Sequence, residues 1–218
     1  MTAPPDRDEG EGLVVAPIGL DRLDELVAVH EAAFPDSQLG SLGSEAVARN
    51  YRWQFTGPHD LTALGATVDG RLVGFVLGGR FRGSTSGFVR ANRWFLAGRV
   101  LRHPRLMLTG AGRRVSSVAL QLLVRRASST PEQPQRVPEG SFGILVIAVD
   151  PSAHRTGVGS ALLDAAEAAA RAAGFERLHL TLHPGNVAAL AFYDDHGWAR
   201  AGLPGDDSHQ WLLAKELH

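Results

Sequence analysis

The sequence has no cysteine. That excludes disulfides, thiolate metal sites and a cysteine nucleophile, and with the last one class of acyl-transfer mechanism. A reducing cytoplasm is the simplest compartment for such a chain, and no metal is expected. Lysine is almost as scarce: Lys215 is the only one, far from any glycine loop. The GxxxxGK[ST] phosphate loop of nucleotide hydrolases is therefore ruled out. No apolar run approaches the roughly 18–20 residues of a membrane span. Negative charge is missing from one long block: between Gly70 and Pro131 there is neither Asp nor Glu, yet twelve arginines fall there. The remaining ten basic and 23 acidic residues carry −13 against the block's +12, so a net charge of −1 conceals a positive island.

What is present fits one domain of 218 residues, large enough to bury a sizeable core. The acidic, Pro- and Gly-rich start, MTAPPDRDEGEG, reads as a disordered leader over residues 1–12, with a single domain over 13–218. Leu13 to Gly19 predicts a first strand. A helix follows with Leu23, Leu26, Val27 and His30 at helical spacing, capped by Asp21 and stopped by Pro35. A second helix is expected from Ser44, as its cap, to about Phe55. LTALGATV and RLVGFVLGG flank Asp69-Gly70, a strong hairpin signal. Residues 81–140 then interrupt the strands with apolar and arginine-rich helical segments, one starting at Pro104, and a Pro-rich linker.

SFGILVIAVDP reads as a strand buried on both faces and ended by Pro151. A helix over Val158 to Ala173 is expected to bury Leu162, Ala166, Ala169 and Ala173, to expose Asp164, Glu167 and Arg171, and to close at Gly174. ERLHLTL is the next strand. NVAALAFYDDH is a helix capped by Asn186 and ended at Gly197, and WARAGL with HQWLLAKEL forms a last hairpin.

Chemistry concentrates at HRTGVGSALL, His154 to Leu163. A helix beginning with Gly157, Val158, Gly159 and Ser160 presents unpaired amides at its positive end, and glycine lets a phosphate approach the backbone without meeting a Cβ. A tight helix start built from small residues would have the same look. The dinucleotide pattern GxGxxG fails, because it meets Leu162 at its last position.

ILVIAVDPSAHRTGVGSALL resembles the acyl-CoA pyrophosphate loop of the GNAT superfamily of N-acetyltransferases, [QR]xxGx[GA]. NVAALAFYDDHGW is similar to that family's NxxAxx[FL]YxxxGF segment, in the expected order about 30 residues on. The likeness covers Phe142 to His218, and the helix pair and hairpin before Gly79 fit the family's order of elements. Two departures stand out. His154 takes the usual Gln or Arg position, and residues 81–140 replace a short turn between the third and fourth strands.

The resemblance implies an α/β (α+β) fold: a mixed, mostly antiparallel sheet flanked by helices, with a helical insertion. It implies acetyl-CoA as cosubstrate. The amides of Arg155, Thr156, Gly157, Val158, Gly159 and Ser160, with His154, would hold the diphosphate, and backbone groups of Ile147 and Val149 would pair with the pantetheine arm and stabilise the oxyanion. Asn186 is placed for a polar contact to CoA, and is equally a helix cap. Tyr193 matches the tyrosine that protonates the departing sulfur. No base is named by the motif. Many relatives carry an acidic residue where this chain has Thr181, flanked by His179 and His183; Glu31 and His183 are the candidates taken forward.

The implied reaction is direct attack of a primary amine on the thioester. Because the insertion feeds the N-terminal end of the buried strand, it is expected at the acceptor end, where its arginines suit a small phosphate- or carboxylate-bearing acceptor. They equally suit two solvated surface helices. Two alternatives remain: an insertion that binds anionic lipid through Trp94 and its neighbours, and a catalytically silent CoA-binding protein. Nucleic acid is disfavoured for want of aromatics among the arginines. A monomer and a homodimer are both compatible with the sequence.

Overall fold

The computed structural model describes residues 12–37, 39–81, 84–102, 140–201 and 210–217. The chain starts with strand β1 (Val14–Pro17), a 3-10 turn (Leu20–Arg22) and helix α1 (Leu23–Ala33). Asp21 makes no capping bond. Arg22 takes the N-cap position, its guanidinium bonded to Glu25 at 2.8 and 2.7 Å, so the expected cap is replaced by an ion pair across the first turn. Helix α2 (Ser44–Thr56) is likewise capped by Gly43, at φ 90°, rather than by Ser44. The Ser44 hydroxyl donates instead to Glu31 Oε1 at 2.6 Å.

Strands β2 (Asp60–Val68) and β3 (Arg71–Arg80) form the expected hairpin, with Asp69 and Gly70 both at positive φ. Two helices follow, α3 (Ser84–Ala91) and α4 (Arg93–Arg102). Phe88 and Leu96 from these helices pack with Leu42 and Ala46, and Arg99 Nε donates to the Leu42 carbonyl at 2.7 Å. The helix expected at Pro104 and the Pro-rich linker lie outside the described residues.

Strand β4 (Phe142–Val149) leads through a 3-10 turn (Pro151–Ala153) into helix α5 (Val158–Ala172), which Gly174 closes at φ 79°. Strand β5 (Arg177–Leu182), helix α6 (Val187–Asp195), and strands β6 (Ala199–Arg200) and β7 (Trp211–Glu216) complete the order. The seven strands run β1-β2-β3-β4-β5-β7-β6, antiparallel everywhere except β4 beside β5. This is the mixed α/β, mostly antiparallel sheet that the motifs implied.

Helix α5 lies on one face of the sheet, and α1 with α2 covers the other. The buried stripe of α5 is Val158, Leu162, Leu163, Ala166, Glu167 and Ala170, rotated from the expected alanine face. Glu167 is inside because Lys215, on β7, reaches its Oε1 at 2.7 Å, while Arg171 approaches Oε2 at 3.5 Å. The single lysine thus neutralises a buried carboxylate.

Candidate active site

The residues joining β4 to α5 build a compact turn. Asp150 Oδ1 accepts from the Ser152 N–H at 2.9 Å and the Ser152 hydroxyl at 2.6 Å, and Arg71 meets its Oδ2 at 3.0 Å. The Ser152 hydroxyl first, and Arg71 further off, hold the Asp150 carboxyl below the usual range. The Thr156 hydroxyl donates to Ala153 O at 2.8 Å, and His154 Nε2 donates to Val149 O at 3.1 Å. His154 therefore folds the turn onto the strand. Arg155, at φ 62°, and Gly157, at φ 88°, reverse the chain direction. Gly157 is the N-cap of α5, and the first capped helical bond runs from Ala161 N–H to Gly157 O at 2.9 Å. The amides of Val158, Gly159 and Ser160 precede it and have no acceptor within the helix.

Behind these amides stands a pair missed in the sequence. His196 Nδ1 donates to Phe192 O at 2.6 Å, so in the neutral ring its Nε2 accepts from the Ser160 hydroxyl at 3.0 Å. A histidine four residues after Phe192, next to the helix-ending Gly197, was the available signal.

The turn sits at the open end of a cleft. Strands β4 and β5 pair only at Phe142–Leu178 and Gly143–His179, and beyond that point they part. On its other edge β4 stays bonded to β3 as far as Val149, but Leu77 opposes Val146 while Gly78 opposes Ile144. Leu145 is thus bulged out of register, and it is 39% exposed in mid-strand. Alternate β4 residues direct their N–H and C=O groups away from β3, into the gap. Ile147 and Val149 both lie along it. Because the bulge leaves ILVIAV looking like any buried strand, composition gave no sign of it.

Tyr193 comes from α6 on the α5 side of the sheet, between the rings of Phe192 at 5.2 Å and Trp198 at 5.5 Å. Its hydroxyl makes no hydrogen bond among the described residues, and burial pushes its pKa up to about 12. The Trp198 Nε1 is buried without a partner among them. Asn186 caps α6, its Oδ1 accepting from the Ala189 N–H at 3.2 Å.

Of the expected bases, Glu31 accepts from Ser44, as above. His183 is exposed, and its Nδ1 accepts from the Gly185 N–H at 3.0 Å, which places the neutral ring's proton on Nε2. Within the arginine block, Arg71 pairs with Asp150, Arg80 lies over Phe175 at 4.8 Å and Arg93 over Trp94 at 5.6 Å. Arg90 and Arg93 are exposed. Arg82 and the five arginines beyond Arg102 lie outside the described residues. Among the described residues, no group of three or more His, Asp or Glu could hold a metal ion, and no helix is long and apolar enough to cross a membrane.

No curated protein matches the chain. Solved structures do. The ribosomal-protein-S18-alanine N-acetyltransferase from Escherichia coli aligns with a TM-score of 0.54 at 16% identity, covering 94% of each chain. The PaiA N-acetyltransferase from Thermoplasma acidophilum, determined in complex with coenzyme A, gives 0.56 at 13%, covering 94% of this chain and 99% of that one. A protein titled histone acetyltransferase HPA2 and related acetyltransferase, from Corynebacterium glutamicum, gives 0.55 at 20%, covering 94% and 97%. At these identities the likeness concerns the fold. The acetyltransferase (GNAT) family profile matches residues 23–198, and with strands that part beside a glycine-initiated helix, the chain belongs to the GNAT acetyltransferase family.

Proposed function

We propose that the protein is an acetyl-CoA-dependent N-acetyltransferase that acts on a primary amine of a small anionic acceptor. One observation carries this reading: the cleft between β4 and β5 opens onto the unpaired amides at the start of α5. The residues fit an acyl-CoA. The amides from Arg155 to Ser160, at the positive end of a helix, would hold the diphosphate. Pantetheine amides would pair with the β4 edge at Ile147 and Val149, as an added strand does. N–H groups beside the bulge would meet the thioester oxygen where negative charge develops.

Acetyl-CoA supplies the activated acyl group, and the protein's part is to orient it and move protons. As the amine attacks, the carbonyl pair shifts to oxygen; collapse then breaks the carbon–sulfur bond, and Tyr193 donates its proton to the sulfur. Transfer from a phenol to a thiolate of conjugate-acid pKa near ~8.5 is uphill, by several kcal/mol for the raised Tyr193. The same burial desolvates the thiolate and raises its basicity, which offsets part of the climb. The second candidate role of Asn186, a contact to CoA, is compatible with its cap, since its Nδ2 is not used there.

Exposed Arg90 and Arg93, in a block free of carboxylates, support an acceptor bearing phosphate or carboxylate. Calorimetric titration with acetyl-CoA tests the cosubstrate. A screen reading free thiol across amino sugars, nucleotide-linked sugars, polyamines, amino acids and peptide N-termini tests the acceptor, and turnover confined to uncharged or cationic amines would overturn the anionic class. A second reading has its own observation: Trp94 is 73% exposed beside Arg93. It predicts sedimentation with anionic liposomes that is lost on Trp94→Ala.

A further inference from the structure

We infer that His179 is the general base that takes the proton from the attacking amine, held in place by Ser141; this rests on the acetyltransferase reading above. His179 faces Gly143 in the last pair before β4 and β5 part. Its neighbours in sequence, Leu178 and Leu180, enter the α5-side core, as do Phe142 and Ile144 beside Gly143. Strand alternation therefore turns both His179 and Gly143 to the face covered by α1 and α2. The imidazole lies across the glycine: a Cβ at Gly143 would meet Cε1 at 3.0 Å and Nε2 at 3.1 Å. Glycine here leaves the root of the cleft to the ring.

The distances agree. From Val149 to Leu145 the strand spans about 13 Å, close to the ~15 Å of an extended pantetheine arm. An acyl group anchored at α5 thus arrives at the bulge, one alternation from Gly143 and its imidazole. Tyr193 belongs to the opposite face. Donor and acceptor of the two protons are thereby separated by the plane of the parting strands, and the amine enters on the His179 side.

The ring is in a state to accept. Nδ1 lies 2.7 Å from the Ser141 hydroxyl, which takes its proton bond equally well as acceptor. Nε2 makes no hydrogen bond among the described residues. Burial lowers the His179 pKa and so favours the neutral ring. In the step, the amine nitrogen bonds the carbonyl carbon and gives a proton to Nε2; the C–S bond breaks, sulfur receives the Tyr193 proton, and both side chains are restored by exchange with solvent. His183, by contrast, already uses a ring nitrogen on the Gly185 amide.

Bromoacetyl-CoA tests the placement without a known acceptor. Its CH2 occupies the position of the acetyl methyl, and a neutral imidazole beside it displaces bromide, forming an N–C bond that mass spectrometry locates. We expect an adduct on His179 that free CoA suppresses, that is absent from His179→Gln, and that is slowed in Ser141→Ala. For any amine that releases thiol, His179→Gln should lower kcat about 10²-fold or more while CoA affinity, measured by calorimetry, reports an intact fold. CoA binding with the adduct elsewhere, or with none, overturns the inference and leaves the transferase reading standing. Absence of CoA binding overturns both.

Discussion

At the scale of single residues, buried histidines set how the fold answers acid. His30 Nδ1 lies 2.7 Å from the hydroxyl of fully enclosed Tyr51, and burial lowers the pKa of His30 as it does that of His179. The unfolded chain binds these protons at higher pH than the folded one. Their contribution is therefore complete above the ordinary histidine range near ~6.5 and is lost as pH falls through the lower folded values. The melting temperature followed by circular dichroism is expected to drop between pH 7 and 5, with a shallower slope in His30→Gln. Tyr193 belongs to the opposite case. Its pKa of about 12 keeps the phenol protonated across the working range, so Tyr193→Phe should lower kcat about 10²-fold without moving the CoA dissociation constant. Full activity in that variant would remove Tyr193 from the reaction. The motif resemblance singles out Tyr193 as a candidate acid. His179 needed the pairing of β5 with β4, because a lone histidine in an alternating strand says nothing of what lies across from it.

At the scale of elements, the turn before α5 was legible as a glycine-rich helix start between a strand and an alanine-rich helix, a pattern that an anion site and a tight start of small residues share. Gly157 is required by its φ of 88°, and no atom would obstruct a side chain there. Gly157→Ala should then cost about 1 kcal/mol of backbone strain in urea unfolding, together with weaker CoA binding as the amides re-aim. Helix starts were read less well. Asp21 and Ser44 have the right chemistry for caps, but each sits one residue from the observed N-cap: Arg22, with its ion pair to Glu25 across the first turn, at α1, and the positive-φ Gly43 at α2. The bulge at Leu145 was invisible because it changes register without changing hydropathy. Periodicity locates a strand, and only its neighbour fixes which residues oppose each other.

At the scale of the whole molecule, hydrophobic pattern carried the order of elements and the motif resemblance carried the sheet flanked by helices, while the sign of one helix face followed from neither. Glu167 was expected in water. It is buried because the chain's one lysine arrives from β7, 48 residues away. Lys215→Met should cost about 2–3 kcal/mol, less than a fully broken buried pair because Arg171 remains nearby. Glu167→Gln with Lys215→Met should recover part of that loss in chemical denaturation.

The position of β7 carries a consequence for synthesis. Lying between β5 and β6, it is the sole bridge from β6 to the rest of the sheet. A nascent chain stalled before Trp211 leaves the β5 edge open, as a template for strand exchange with another copy, until the final ladder is delivered.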